Sequence, residues 1–203
     1  MRSSTKRLTL FLVAVLVLKL CAFMTPTVMA APVEITAKII DANFREAICS
    51  MLDKAPTEKI FDTDVAEITH LEVVFKDITA LTGLEHFTSL IELNCSNNKL
   101  TNLPALPSSL TSLNCDSNEL ITLPKLPSGL EDLSCRTNSL KSLPALPSSL
   151  TLLNCDSNEL TALPVLPSGL EDLSCQTNSQ CYQRCHPACL HLTAVTTNFQ
   201  LSH

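Results

Sequence analysis

The 203-residue chain carries 14 Lys and Arg against 20 Asp and Glu, with 3 Gly, 12 Pro, 10 Cys, one Tyr and no Trp. It is too apolar for a disordered segment, and its acidic balance disfavours nucleic acid and anionic membrane as partners. The regular spacing of Leu and Pro points to an internal repeat within one domain.

Residues 1–30 read as a targeting segment. Arg2, Lys6 and Arg7 form a basic start, Leu8 to Leu18 is apolar apart from Thr9, and Val28-Met29-Ala30-Ala31 offers small residues for cleavage after Ala30. That is the layout of a secretory signal. An uncleaved membrane anchor is the competing reading, but Lys19 interrupts the apolar run and leaves it short for a stable span. Leu18-Lys19-Leu20, ahead of Cys21, lacks the small residue a lipoprotein signal needs. The expectation is a secreted or otherwise extracytoplasmic protein with no stable membrane span. Removing the segment leaves ten Lys and Arg against twenty Asp and Glu, a net charge of −10. A protein partner with a basic patch suits that surface. Nine cysteines remain, and an odd number in an exported chain leaves at least one thiol unpaired or paired between chains.

Residues 31–67 lack any repeat and read as a helical N-terminal cap. Asp41 is the expected N-cap of a helix whose buried face is Phe44, Ala47, Ile48, Met51 and Leu52. A second short helix is expected from Thr63 to Glu67. A solenoid needs such a cover over its first strand.

Residues 68–180 carry the repeat. Leu90-x-x-Leu93-x-Cys95-x-x-Asn98-x-Leu100 recurs every twenty residues, from Leu110, Leu130, Leu150 and Leu170, with Gln180 replacing the final Leu of the last copy. Leu-Pro-x-Leu-Pro separates the copies. An earlier degenerate turn, two residues longer, reads Ile68, Leu71, Val73, Ile78, Leu81, Leu84 and Phe87. Alternation around Leu113 and Cys115 predicts a short strand with one face inward. The two prolines fix φ and cannot donate, so the return segment should be extended and polyproline-like. One repeat buries too little to offset the ordering of its own backbone, so each must stack on the next.

Asn98, Asn118, Asn138, Asn158 and Asn178 fit a structural ladder of side chains satisfying backbone groups, rather than ligand contacts. Cys95, Cys115, Cys135, Cys155 and Cys175 occupy an inward position. Disulfides between neighbouring copies are not excluded by distance, but five members cannot all pair, and buried thiols are the simpler expectation. A metal column would want His beside it, and none is there. Between the inward positions, outward strand residues line a concave face: Glu92, Asn94, Ser96, Ser112, Asn114, Asp116, Asp132, Ser134, Arg136, Leu152, Asn154, Asp156, Asp172, Ser174 and Gln176, flanked by Glu131 and Glu171. The candidate binding residues are Glu92, Asn94, Asp116, Asp132, Arg136, Asp156 and Asp172, although an acidic stripe is also what a merely solvated face looks like. It holds no aromatic residue, so an interface there gains steering more than affinity. Paired copies also alternate over forty residues, Ser-Ser-Leu-Thr against Ser-Gly-Leu-Glu-Asp, as in a duplicated two-repeat unit.

Residues 181–203 abandon the period. Cys181, Cys185, His186, Cys189 and His191 are zinc-ligand types. With permitted codons, however, the bases encoding Cys181 to Leu190 read one frame over as Leu-Pro-Ala-Leu-Pro-Ser-Ser-Leu, and those of Leu192 to Phe199 as Asn-Cys-Ser-Asn-Asn-Glu-Leu. The expectation is an out-of-frame tail and no metal site. The scattered His70, His86 and His203 form no catalytic arrangement.

The motif Leu-Pro-x-Leu-Pro-x-x-Leu-x-x-Leu-x-Cys-x-x-Asn-x-Leu resembles the short leucine-rich repeat of bacterial effectors delivered by type III secretion, some of which are ubiquitin ligases. The cap followed by Ile78-Thr79-Ala80-Leu81-Thr82-Gly83-Leu84 resembles the start of internalin-like surface proteins. The resemblance covers roughly residues 39–180. It implies a leucine-rich-repeat solenoid with a parallel sheet on the concave side, and a non-catalytic protein-binding module without cofactor. A ligase would need a C-terminal domain and a Cys-x-Asp motif, and an injected effector would carry no secretory signal. A truncated, purely structural paralogue is the other expectation.

Overall fold

The computed structural model describes residues 30–178; the N-terminal stretch expected to be a signal, and the tail with its Cys and His cluster, lie outside them. Two helices come first, α1 (Ala42–Met51) and α2 (Asp62–Val65). Six three-residue strands follow: β1 (His70–Glu72), β2 (Glu92–Asn94), β3 (Ser112–Asn114), β4 (Asp132–Ser134), β5 (Leu152–Asn154) and β6 (Asp172–Ser174). They form one parallel sheet in chain order. The register sets Leu71, Leu93, Leu113, Leu133, Leu153 and Leu173 side by side. This is a parallel β-solenoid, one strand per turn.

The twenty-residue period becomes a stack of side chains. Leu90, Leu93, Cys95 and Leu100, with their equivalents through Leu160, are buried in one continuous core. At β6 Leu170, Leu173 and Cys175 are only partly buried. The proline segments carry neither helix nor strand, and each ends in a tight turn, as where the Leu110 amide reaches the Pro107 carbonyl at 3.2 Å.

The Asn column explains how so short a turn closes. Asn118 Oδ1 accepts the Leu100 amide at 3.0 Å, while its Nδ2 donates to the carbonyls of Cys95, Cys115 and Asp116 at 3.1–3.2 Å. Asn98, Asn138, Asn158 and Asn178 repeat the pattern. One amide thus satisfies backbone groups in two successive turns that no strand ladder reaches. The residue before each Asn takes a left-handed conformation: Asn97, Ser117, Thr137, Ser157 and Thr177 have φ of 52–57°.

At the N-terminal end, Asp41 caps α1 by accepting the Phe44 amide at 2.9 Å and ties it to the first turn through the Thr79 amide and hydroxyl at 2.8 and 2.6 Å. Burial opposes the charge on Asp41, but these hydrogen bonds outweigh it and hold the carboxyl below its usual range. Phe44, Ile48 and Cys49 of α1 are buried, and the rings of Phe44 and Phe87 lie 6.5 Å apart. The buried face therefore departs from the expected one: Cys49 is inside and Met51 is 41% exposed. The helix is rotated so that Met51 overlooks the sheet. The second helix also starts one residue earlier than expected, at Asp62, because the Asp64 carboxylate accepts the Phe61 amide at 2.8 Å and fixes the first turn there, and it ends at Val65. Gly83 (φ 98°) closes the first solenoid turn against the cap, where a Cβ would come within 2.8 Å of Ile39 Cγ1.

Candidate functional site

Outward positions of the strands form rows across the sheet. The first row is His70, Glu92, Ser112, Asp132, Leu152 and Asp172; the second is Glu72, Asn94, Asn114, Ser134, Asn154 and Ser174. Over β1 to β4 these rows floor a hollow of about 810 Å³, walled at one end by Ala47, Ser50 and Met51 of α1. Of the candidate binding residues, Glu92, Asn94 and Asp132 line it. His70, Glu72 and Lys76 of the first turn line it too, beyond the residues the sequence singles out as binding candidates.

The floor is mostly carboxylate and amide. Glu92 Oε1 lies 3.5 Å from His70 Nε2. Asp132 has its carboxyl pushed above the ordinary range by partial burial and by the charge of Asp116. Asp132 is thus an acid whose charge the surroundings do not compensate.

Asp116 and Asp156 belong to the framework more than to the floor. Asp116 Oδ1 accepts the Ser134 hydroxyl at 2.7 Å and the Arg136 amide at 2.8 Å, and Asp116 Oδ2 lies 3.6 Å from Arg136 Nε. Asp156 makes the same hydrogen bonds to Ser174 and the Gln176 amide. Ser96 is not part of the exposed face: it is 5% exposed, and Asn97 Nδ2 donates to its hydroxyl at 3.3 Å. Arg136 and Asp172 are exposed but stand apart from the hollow.

Three buried thiols of the inward Cys column are held in the protonated form. Burial pushes the thiols of Cys95 and Cys135 up to about 12, and burial, then the neighbouring thiols, raise Cys115 as well. The Sγ atoms of Cys95, Cys115 and Cys155 sit 3.4–3.5 Å from a carbonyl oxygen of the next strand, as weak donors along the stack. Among the described residues no three His, Cys, Asp or Glu side chains are placed to hold a metal ion.

A one-strand-per-turn parallel solenoid with an inward Leu set and an Asn ladder is a leucine-rich-repeat protein. Solved structures place it among the bacterial ones. The functional domain of InlJ from Listeria monocytogenes, which includes a cysteine ladder, is 31% identical with a TM-score of 0.65, covering 73% of this chain and 34% of its own. A Shigella effector LRR domain is 33% identical with a TM-score of 0.56, covering 68% of this chain and 66% of its own. The internalin InlF of Listeria monocytogenes, 16% identical with a TM-score of 0.50, shares the fold. The chain thus spans about a third of the InlJ domain and 66% of the Shigella domain. No family model matches the chain, and no curated protein matches it either.

Proposed function

We propose that the chain is a non-catalytic protein-binding module working outside the cytoplasm, which receives its partner on the concave, outward face of the sheet. The observation that carries this reading is the hollow against α1. It presents Glu72, Glu92 and Asp132 as outward side chains of neighbouring strands in one parallel sheet. Rigid strands with exposed, unlike side chains are suited to reading another protein surface, and an acidic floor favours a basic one. The secretory layout of residues 1–30 supports the location. No helix among the described residues is long and apolar enough to cross a membrane.

The test is affinity capture by the full chain against a variant carrying Glu72→Lys, Glu92→Lys, Asp132→Lys and Asp172→Lys. Asp116 and Asp156 are left intact because reversing them would damage the framework. With both proteins showing the same thermal unfolding, proteins retained by the wild type and lost by the variant support the reading. The same proteins retained by both remove the face from it.

A further inference from the structure

Phe75 occupies a position where an aromatic residue is costly. Its amide reaches the Ser96 carbonyl as that of Asn97 reaches Asp116, so Phe75 is the first-turn counterpart of Asn97, Ser117, Thr137, Ser157 and Thr177. All six are left-handed, Phe75 with φ 53°. The other five are small polar residues. Asn is the type that suits this region; β-branched Thr and bulky Phe are both outliers there, and Phe75 is the one large apolar side chain among the six. Packing does not compensate Phe75, because it is 77% exposed.

Its surroundings explain the exception. Phe75 lines a second, smaller hollow of about 270 Å³, and Ala47, Ser50 and Lys76 line both this hollow and the larger one over the sheet. Met51, 41% exposed, lines the larger hollow. Two exposed apolar side chains thus flank a shared wall, where the single cation Lys76 is outnumbered by Glu46 and Asp77 on one side and by Glu72, Glu92 and Asp132 on the other. Among the described residues neither Glu46 nor Glu72 makes an ion pair, whereas Glu92 faces His70 and Asp77 holds Lys99 at 2.9 Å. Interface cores favour Phe and Met, and long-range complementarity favours opposite charge at the rim.

Building on the protein-binding reading, we propose that Phe75, assisted by Met51, is the apolar anchor of the interface. Its occupant is a partner-protein segment that presents an apolar side chain flanked by Lys or Arg. The strained conformation at Phe75 is retained because the exposed ring contributes to binding rather than to folding.

Selection of a random peptide library on the full chain tests this. The enriched peptides should carry an apolar residue beside Lys or Arg and lose affinity roughly tenfold or more on Phe75→Asn, with a smaller loss on Met51→Ser. Phe75→Asn should leave the Tm unchanged or raise it, since Asn suits the left-handed position. A fall in Tm would make Phe75 structural and overturn the anchor. Enriched peptides without the apolar-basic pattern would also overturn it. Peptides that bind Phe75→Asn as well as wild type but fail on Asp132→Lys would remove the anchor while leaving the protein-binding face standing. Peptides indifferent to both variants would remove both.

Discussion

The Ser134 hydroxyl donates to Oδ1 of Asp116 at 2.7 Å, and the same oxygen accepts the Arg136 amide at 2.8 Å. One carboxylate therefore clamps the turn that follows it. Asp156 does the same for Ser174 and Gln176. The forty-residue alternation in the sequence has a physical reason: an Asn-Cys-Asp turn grips a Ser-Cys turn, and the gripping unit is two repeats long.

Removing one clamp should be felt in stability. Asp116→Ala leaves the Ser134 hydroxyl and the Arg136 amide without this acceptor and should cost roughly 1–3 kcal/mol. Asp132→Asn, at a carboxylate that accepts no such bond, should stay within about 0.5 kcal/mol. Urea unfolding separates the two, and equal losses would remove the clamp as the cause of the alternation.

The other half of the alternation gives a stabilising change. Ser109 Oγ donates to the Leu90 carbonyl at 2.7 Å and the Thr88 carbonyl at 3.1 Å, and Ser149 repeats this on Leu130 and Ser128. Gly129 holds the equivalent place in the intervening turn, where an added Cβ meets nothing within 4 Å. Gly129→Ser should bond back to Leu110 and restrict the unfolded chain, adding about 0.5–1.5 kcal/mol. The midpoint of urea unfolding should rise, and a midpoint that falls would show that the Ser bond does not transfer between turns.

The thiol column makes the fold sensitive to alkali. Cys95 and Cys135 are raised from 9.0 to about 12, so above pH 9 the unfolded chain releases protons that the folded chain keeps. The stability these thiols contribute is complete below pH 9 and is lost as pH climbs towards 12. Unfolding free energy measured across that window should fall, and should fall less steeply in Cys95→Ala and Cys135→Ala. An identical slope in wild type and variants would contradict the assignment.

Much of this was legible in the sequence because the repeat fixes its own register. Once Leu113 is inward, Cys115 follows by alternation, and the Asn column has one place to go. Asp41 was readable as a cap from its position alone. What escaped depends on neighbours distant in sequence. Cys49 and Met51, two residues apart, point to nearly opposite sides of α1, and only packing against the first turn decides which is inside. Asp116 looks like any outward acid until Ser134 is set beside it. Phe75 keeps the register of Asn97 at a spacing of 22 residues, but its left-handed backbone is not visible in the sequence. His70 and Glu72 alternate with Leu71 as Glu92 and Asn94 alternate with Leu93, but that they share a hollow with α1 depends on where the helix packs.

The central claim is that the sheet face beside α1 receives a protein partner. A photoreactive side chain placed at Ser112, between Glu92 and Asp132 in the first row, tests it against the same group at Val165, which is 91% exposed in a proline segment. Incubated with extracytoplasmic protein and illuminated, the full chain should form a discrete adduct from Ser112 and none from Val165. Adducts from Val165 with none from Ser112 would contradict the account.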